Sequence, residues 1–299
     1  MIPTIKQLNY LIALDEHLHF GKAAAACFIS QSAFSIAIKE LETTLNVQLV
    51  DRTNKSVIIT DIGRAVVKQA RLCINDMEAL INIAANGQEP LSGRLTMGVI
   101  PTIAPFLLPP FIPAALKRFP KLQLYLREEN TAAIHEQLLE GKLDLILVAL
   151  PFQLKSVTVM PLFKDQFFLA CRRDSRWLND SNNGLDFGSL PDESILLLED
   201  GHCLRDHALA ACQVRDSDQV SRFAATSLQT LLQMVAADLG ITFVPAMARQ
   251  SLMAESSGIE LLPMPKQSYR EIGLAWRKGS SRSDEFTLLG KLLQELHRH

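Results

Sequence analysis

A chain of 299 residues with 48% hydrophobic side chains can bury a sizeable core and is long enough for about two average domains. Its 30 Lys and Arg against 32 Asp and Glu leave a formal charge of -2, which points to neither nucleic acid nor membrane. The start, MIPTIKQLNY, has no basic and apolar leader and no apolar run reaches about 18 residues, so a cytoplasmic chain is expected, neither secreted nor membrane-spanning.

In chain order, Leu8, Leu11, Ile12 and Leu14 give a first apolar helical face, and Ala23 to Ala26 a short second helix entered through Phe20 with Gly21 as cap. Ser30 is placed to N-cap a third helix whose inner face is Ala33, Phe34, Ala37, Ile38, Leu41 and Leu45. Its outer face is then Gln31, Ser32, Ser35, Ile36 and Lys39. Two β-prone runs, Val47 to Leu49 and Val57 to Ile59, flank a polar tip of Arg52, Thr53, Asn54 and Lys55. Residues 1–60 therefore read as a winged helix-turn-helix, in which Gln31, Ser32, Ser35, Ile36 and Lys39 approach the bases and phosphates of a major groove, and Arg52 and Lys55 the backbone. Five basic residues (Lys6, Lys22, Lys39, Arg52, Lys55) are matched by five acidic ones (Asp15, Glu16, Glu40, Glu42, Asp51), so a protein-binding helical bundle stays open on pattern alone.

A continuous helical pattern then runs from Thr60 to about Asn86, with Val67, Ala70, Ile74, Met77, Ile81 and Ala84 in one stripe. Such a helix is near 40 Å long, more than its own module can cover. A homodimer joined through residues 61–86 is expected, with a hinge up to residue 92; packing on its own domain is the alternative. From Gly93 the pattern is βαβαβ over RLTMGVI, 105–119, LQLYLRE, 131–140 and LDLILVA. Strands follow near 166–171, 195–198, 220–225, 241–244, 259–262 and 271–277, and helices near 204–213, 227–238 and 283–297. The expected module is α/β, resembling periplasmic binding proteins: subdomain I at 93–164 and 270–299, subdomain II inserted at 165–269. No phosphate-loop motif occurs, and no cofactor or metal site is expected.

Five cysteines, Cys27, Cys73, Cys171, Cys203 and Cys212, form neither a disulfide framework nor a metal-ligand spacing. Cys203 and Cys212 lie nine positions apart in LEDGHCLRDHALAAC, a run that reads as helix. Nine helical steps rise about 13.5 Å and turn about 180°. A disulfide needs Cα atoms within roughly 4.4 to 6.8 Å. Pairing would force the helix apart, which makes the segment a candidate redox switch. The helix N-terminus puts Cys203 at the positive end of the dipole, and His202 and Arg205 add donors. Thr102 and Thr131 each offer a hydroxyl, yet each stands at a strand-to-helix junction where a helix cap is an equal reading. Cys27, Cys73 and Cys171 read as buried packing residues.

The run AAAACFISQSAFSIAIKELETTLNVQLVDRT, followed by a helix opening TDIGRAVV, resembles the signature of LysR-type transcriptional regulators, and the likeness covers essentially the whole chain. GHCLRD with a second cysteine nine positions after the first is similar to the hydrogen-peroxide-sensing members of that family. IPT at 100–102, NT at 130–131, ATSL at 225–228 and Arg270 shortly before IGL support it. The resemblance implies a non-enzymatic activator of oxidative-stress genes, a homotetramer built from dimers that binds a double-stranded promoter operator and acts with RNA polymerase. It implies that Cys203 reacts with peroxide and Cys212 resolves it as a disulfide. It places Thr102, Thr131, His202 and Arg270 at the peroxide site, with Arg205 and Asp206 of the same motif. Ser32 stands where proline often follows Ser-Gln, Ile36 where the residue is often polar, and His207 and Arg222 where close relatives carry other residues. A regulator answering to an organic ligand, with incidental cysteines, and a thiol peroxidase are the competing readings.

Overall fold

The structure, a computed structural model, describes residues 2–52, 57–86, 90–177, 190–201, 203–211, 219–249, 258–264 and 267–298. Two units are distinct: Met1–Glu89 with Gln137–Leu143, and Pro90–Glu136 with Asp144–His299.

The first unit opens with α1 (Ile5–His17), started by a capping box in which Gln7 N donates to Thr4 Oγ1 and Thr4 N to Gln7 Oε1. In α2 (Phe20–Ala26) the cap is His19, not Gly21: its Nδ1 accepts from the Gly21 and Lys22 amides at 3.0 and 3.2 Å. Glycine brings no side-chain acceptor, and the imidazole one position ahead of the helix does. Ser30 caps α3 (Gln31–Leu45) as expected, accepting from Ala33 N. Phe34, Ile38 and Leu41 are fully buried, whereas Ala33 is exposed, because it sits in the first turn on the flank of that stripe. Together with Leu11, Leu14, Ala23 and Ala24 they close one core. The hairpin β1 (Val50–Arg52) and β2 (Val57–Ile59) is antiparallel, with Val50 opposite Ile59. It starts three residues later than the apolar run predicts, since Glu42 Oε1 takes the Leu49 and Val50 amides at 2.8 and 3.1 Å.

The long helix α4 (Asp61–Asn86) begins where Thr60 Oγ1 accepts from Gly63 N. A Cβ on Gly63 would stand 2.2 Å from the Leu49 carbonyl oxygen, so only glycine lets the helix start this close to the hairpin. Gly63→Ala is expected to destabilise the unit by about 1–3 kcal/mol, as overpacking against rigid backbone does; a denaturant midpoint unchanged from the parent would refute that. Val67 and Ala70 are buried. Arg71 adds ion pairs to Glu16 (2.8 Å) and Asp15 (3.1 Å) on α1. Further along, Met77, Leu80 and Ile81 are 37, 57 and 58% exposed.

In the second unit β3 (Gly93–Val99) lies between and parallel to β4 (Leu122–Glu128) and β5 (Leu145–Leu150), with α5 (Ala104–Arg118) and α6 (Thr131–Leu139) as the crossovers. β6 (Val157–Arg172) is far longer than the 166–171 strand the sequence suggests. Its first half pairs antiparallel with β11 (Tyr269–Arg277), which in turn pairs with β5. Pro161 hides that half from the pattern, and the ladder absorbs it through a register shift between Ile272 and Gly273. The second half of β6 pairs with β9 (Thr242–Pro245) and β10 (Ile259–Pro263). β7 (Ile195–Leu198) and β8 (Val220–Ala225) are parallel. A core of Phe167, Leu169, Ile195 to Leu198, Leu231, Val235 and Phe243 sits beneath α7 (Cys203–Ala211) and α8 (Leu228–Ala236). The described chain closes with α9 (Ser283–His297). No single described helix is long and apolar enough to cross a membrane.

Candidate functional site

Arg270 on β11 is the centre of the second unit's polar chemistry, and its side chain is fully buried. Nε pairs with Asp165 Oδ2 of β6 at 3.0 Å, Nη1 donates to Thr102 Oγ1 at 2.8 Å, and Nη2 donates to Thr102 O at 2.9 Å. Met247 N holds the other Asp165 oxygen at 3.0 Å. The guanidinium is thus fixed from both sides, as a buried charge must be. Because Thr102 Oγ1 accepts from Arg270, its hydroxyl proton is left to donate in another direction.

Neither threonine is a cap. The residue ahead of α5, Ile103, has no side-chain cap bond, and α6 is capped by Asn130 Oδ1, which accepts from Ala133 N at 2.9 Å. Thr131 Oγ1 is buried with no hydrogen-bond partner of normal geometry among the described residues. It lies beside the thiol of Cys203, the first residue of α7. The buried Cys203 thiol is free. Burial pushes its pKa up, while the Thr131 hydroxyl, the Arg270 charge and a backbone hydrogen bond from Ala149 pull it down. Cys203, Thr131, Arg270 and Thr102 therefore form one cluster, at the N-terminal ends of three helices.

Two motif neighbours behave differently from expectation. Asp206 does not stabilise a thiolate: its negative charge raises the Cys203 pKa. Arg205 pairs with Asp200 Oδ1 at 3.1 Å and donates to Leu198 O at 3.4 Å, so its charge serves the β7–α7 turn rather than the sulfur. His202, Cys212, Lys55 and the Arg52 side chain lie outside the described residues. Of the other cysteines, Cys171 is buried, and burial, with Glu260 and Asp238, pushes its thiol up to about 11. Cys27 is only half-buried and Cys73 is exposed on α4, so neither is the core residue expected. The sequence reading missed Asp165 and the His207 bond to Pro151 O (2.8 Å). An acidic residue inside the apolar run LFKDQFFLA was the one available signal for Asp165.

On the outer face of α3, Gln31, Ser32 and Lys39 are exposed and Ser35 is half-buried. Ile36 is 59% exposed, so it does not pack inward. A short polar helix face with one cation and one apolar residue, flanked by a hairpin, is what a major groove admits.

Residues 5–64 match the bacterial regulatory helix-turn-helix protein, lysR family, and residues 88–298 match the LysR substrate binding domain. The chain belongs to the LysR family. It is 40% identical over 291 residues to the DNA-binding transcriptional dual regulator OxyR of Escherichia coli K12, covering 97% of this chain and 94% of that one. The structure of full-length OxyR from Pseudomonas aeruginosa with a cysteine-to-aspartate change superposes with a TM-score of 0.81 at 32% identity, covering 98% of this chain and 95% of that one. A cysteine-to-serine OxyR from Corynebacterium glutamicum, solved with hydrogen peroxide bound, gives 0.66 at 31% identity, covering 100% and 94%.

Proposed function

We propose that this LysR-family protein is a hydrogen-peroxide-sensing transcription activator, switched by oxidation of Cys203 and its pairing with Cys212. The carrying observation is the buried Thr131 hydroxyl, set against the Cys203 thiol and with no hydrogen-bond partner of normal geometry among the described residues, with Thr102 held by Arg270 at the same cluster. Peroxide offers two O–H donors and two acceptor oxygens, and this cluster offers hydroxyls that both donate and accept. The thiolate sulfur attacks one peroxide oxygen and the O–O bond breaks. The departing hydroxide takes up the proton that the thiol released, giving water and a Cys203 sulfenic acid. The Cys212 sulfur then attacks the sulfenyl sulfur, the S–O bond breaks, and a second water leaves with the disulfide formed. His202 joins this site by family resemblance.

Because α7 is helical from Cys203 to Ala211, that second step needs the helix to unwind. Domain boundaries at 1–60, 61–92 and 93–299, with an inserted subdomain at 165–269, fit this reading: the refolding segment lies in one subdomain and its Thr102 and Thr131 partners in the other. The exposed Met77, Leu80 and Ile81 of α4 support a dimer along that helix, and two dimers would make the tetramer. Gln31, Ser32, Ser35, Ile36, Lys39, Arg52 and Lys55 would face a promoter duplex, with RNA polymerase as the downstream partner in the cytoplasm. Cys203→Ser is expected to abolish peroxide-induced transcription while retaining DNA binding, and full induction in that variant would sink the assignment. Cys212→Ser should still yield a sulfenic acid but no intramolecular disulfide, which mass spectrometry after peroxide treatment reads directly.

A further inference from the structure

His207, one helical turn after Cys203 on α7, is a buried titratable side chain that the peroxide chemistry does not use. Its Nε2 lies 2.8 Å from the Pro151 carbonyl oxygen, just beyond β5. A carbonyl can only accept, so Nε2 carries the proton and, in the neutral ring, Nδ1 is a bare acceptor. That Nδ1 is buried and has no partner among the described residues. The first half of α7 is therefore tied to the segment just beyond β5 by the His207 to Pro151 bond. We propose that His207 is a proton-sensitive pin that seats α7 in its reduced position, so that acid loosens the helix that must unwind for Cys203 to reach Cys212.

Burial sets the sign, and the groups around the ring adjust it. Arg270, from β11, repels a protonated imidazole, and Asp165 on β6 is already committed to Arg270. β7, which also packs against α7, presents only Ile195, Leu196, Leu197 and Leu198. The Pro151 carbonyl bond and, more weakly, Asp206 on α7 itself favour the charged form, but burial, the largest influence, opposes it, and the net direction of the His207 pKa is down. The seated helix thus holds fewer protons at His207 than the unseated one. Seating is complete above the free-imidazole value of about 6.5 and weakens as pH falls below it toward the lowered value.

The test is hydrogen exchange by mass spectrometry on the reduced, full-length protein between pH 5.5 and 7.5, with protection in the peptide covering 203–211 corrected for the intrinsic rate. Protection in wild type should fall at pH 5.5 relative to pH 7.5, by at most about tenfold, the limit that one unit of titration below 6.5 sets. Protection of α8 should stay constant. His207→Gln keeps an amide donor for Pro151 O but cannot titrate, so its profile should be flat; His207→Leu should be flat and lower throughout. A flat wild-type profile, a fall shared by α8, or a fall of the wild-type size persisting in His207→Gln would each overturn the proposal. The biological use of the pin rests on the proposed Cys203 to Cys212 exchange. The experiment does not: it reads helix seating without peroxide, so failure of one leaves the other standing.

Discussion

Arg270→Met is expected to lower stability by about 3–5 kcal/mol, the usual effect of removing one partner from a buried ion pair. Methionine matches the arginine stem as far as Nε, so the loss is mainly electrostatic, with a small void where Nη1 and Nη2 sat. Among the described residues it leaves the Asp165 carboxylate with only the Met247 amide, in a site whose side chains are fully buried. The same change strips Thr102 of its donor and Cys203 of the positive charge that pulls its pKa down. Peroxide reactivity should therefore fall with stability. The two effects separate in the double variant Arg270→Met with Asp165→Asn: removing the stranded charge should restore much of the denaturation midpoint, whereas the rate of Cys203 sulfenylation should remain low. Recovery of both would mean that Arg270 serves the fold alone.

How much of this was legible beforehand depends on what kind of physics each feature obeys. The α3 stripe of Phe34, Ile38 and Leu41 and the run of α4 follow from local periodicity, and both were readable. The start of β1 was not, because Glu42, eight residues away, takes amides that the apolar run seemed to free for a ladder. The first half of β6 was hidden by Pro161, which only its partner strand can excuse. At the thiol cluster, residue chemistry alone left Thr102 and Thr131 undecided between cap and ligand. The structure separates the two: the neighbouring Asn130, not Thr131, caps α6, and Arg270, 168 residues along the chain, claims Thr102. Asp206 shows the reverse error. Sequence adjacency to Cys203 grouped it with the stabilising residues, yet a carboxylate near a buried thiol can only oppose ionisation.

Thr131→Val should cut the second-order rate of Cys203 sulfenylation by on the order of 10²-fold, the typical effect of losing one preorganised donor, while leaving the fold as stable as before or more so. Valine fills the same space, and the hydroxyl it removes has no partner of normal geometry among the described residues. A buried hydroxyl fully unmatched costs about 1–3 kcal/mol, and one set only against a thiol is poorly matched, so its removal should leave stability level or higher. Thr131→Ser, which keeps the hydroxyl, should retain most of the rate. The opposite signs on rate and stability distinguish this residue from Arg270, where both should fall. A packing residue would give a loss of stability with an unchanged rate, and that outcome in stopped-flow and thermal unfolding measurements would remove Thr131 from the peroxide site. The expected pattern is the mark of a group held ready for a ligand: a hydroxyl poorly matched by the Cys203 thiol in the resting chain and, in the proposed function, fully bonded when peroxide arrives.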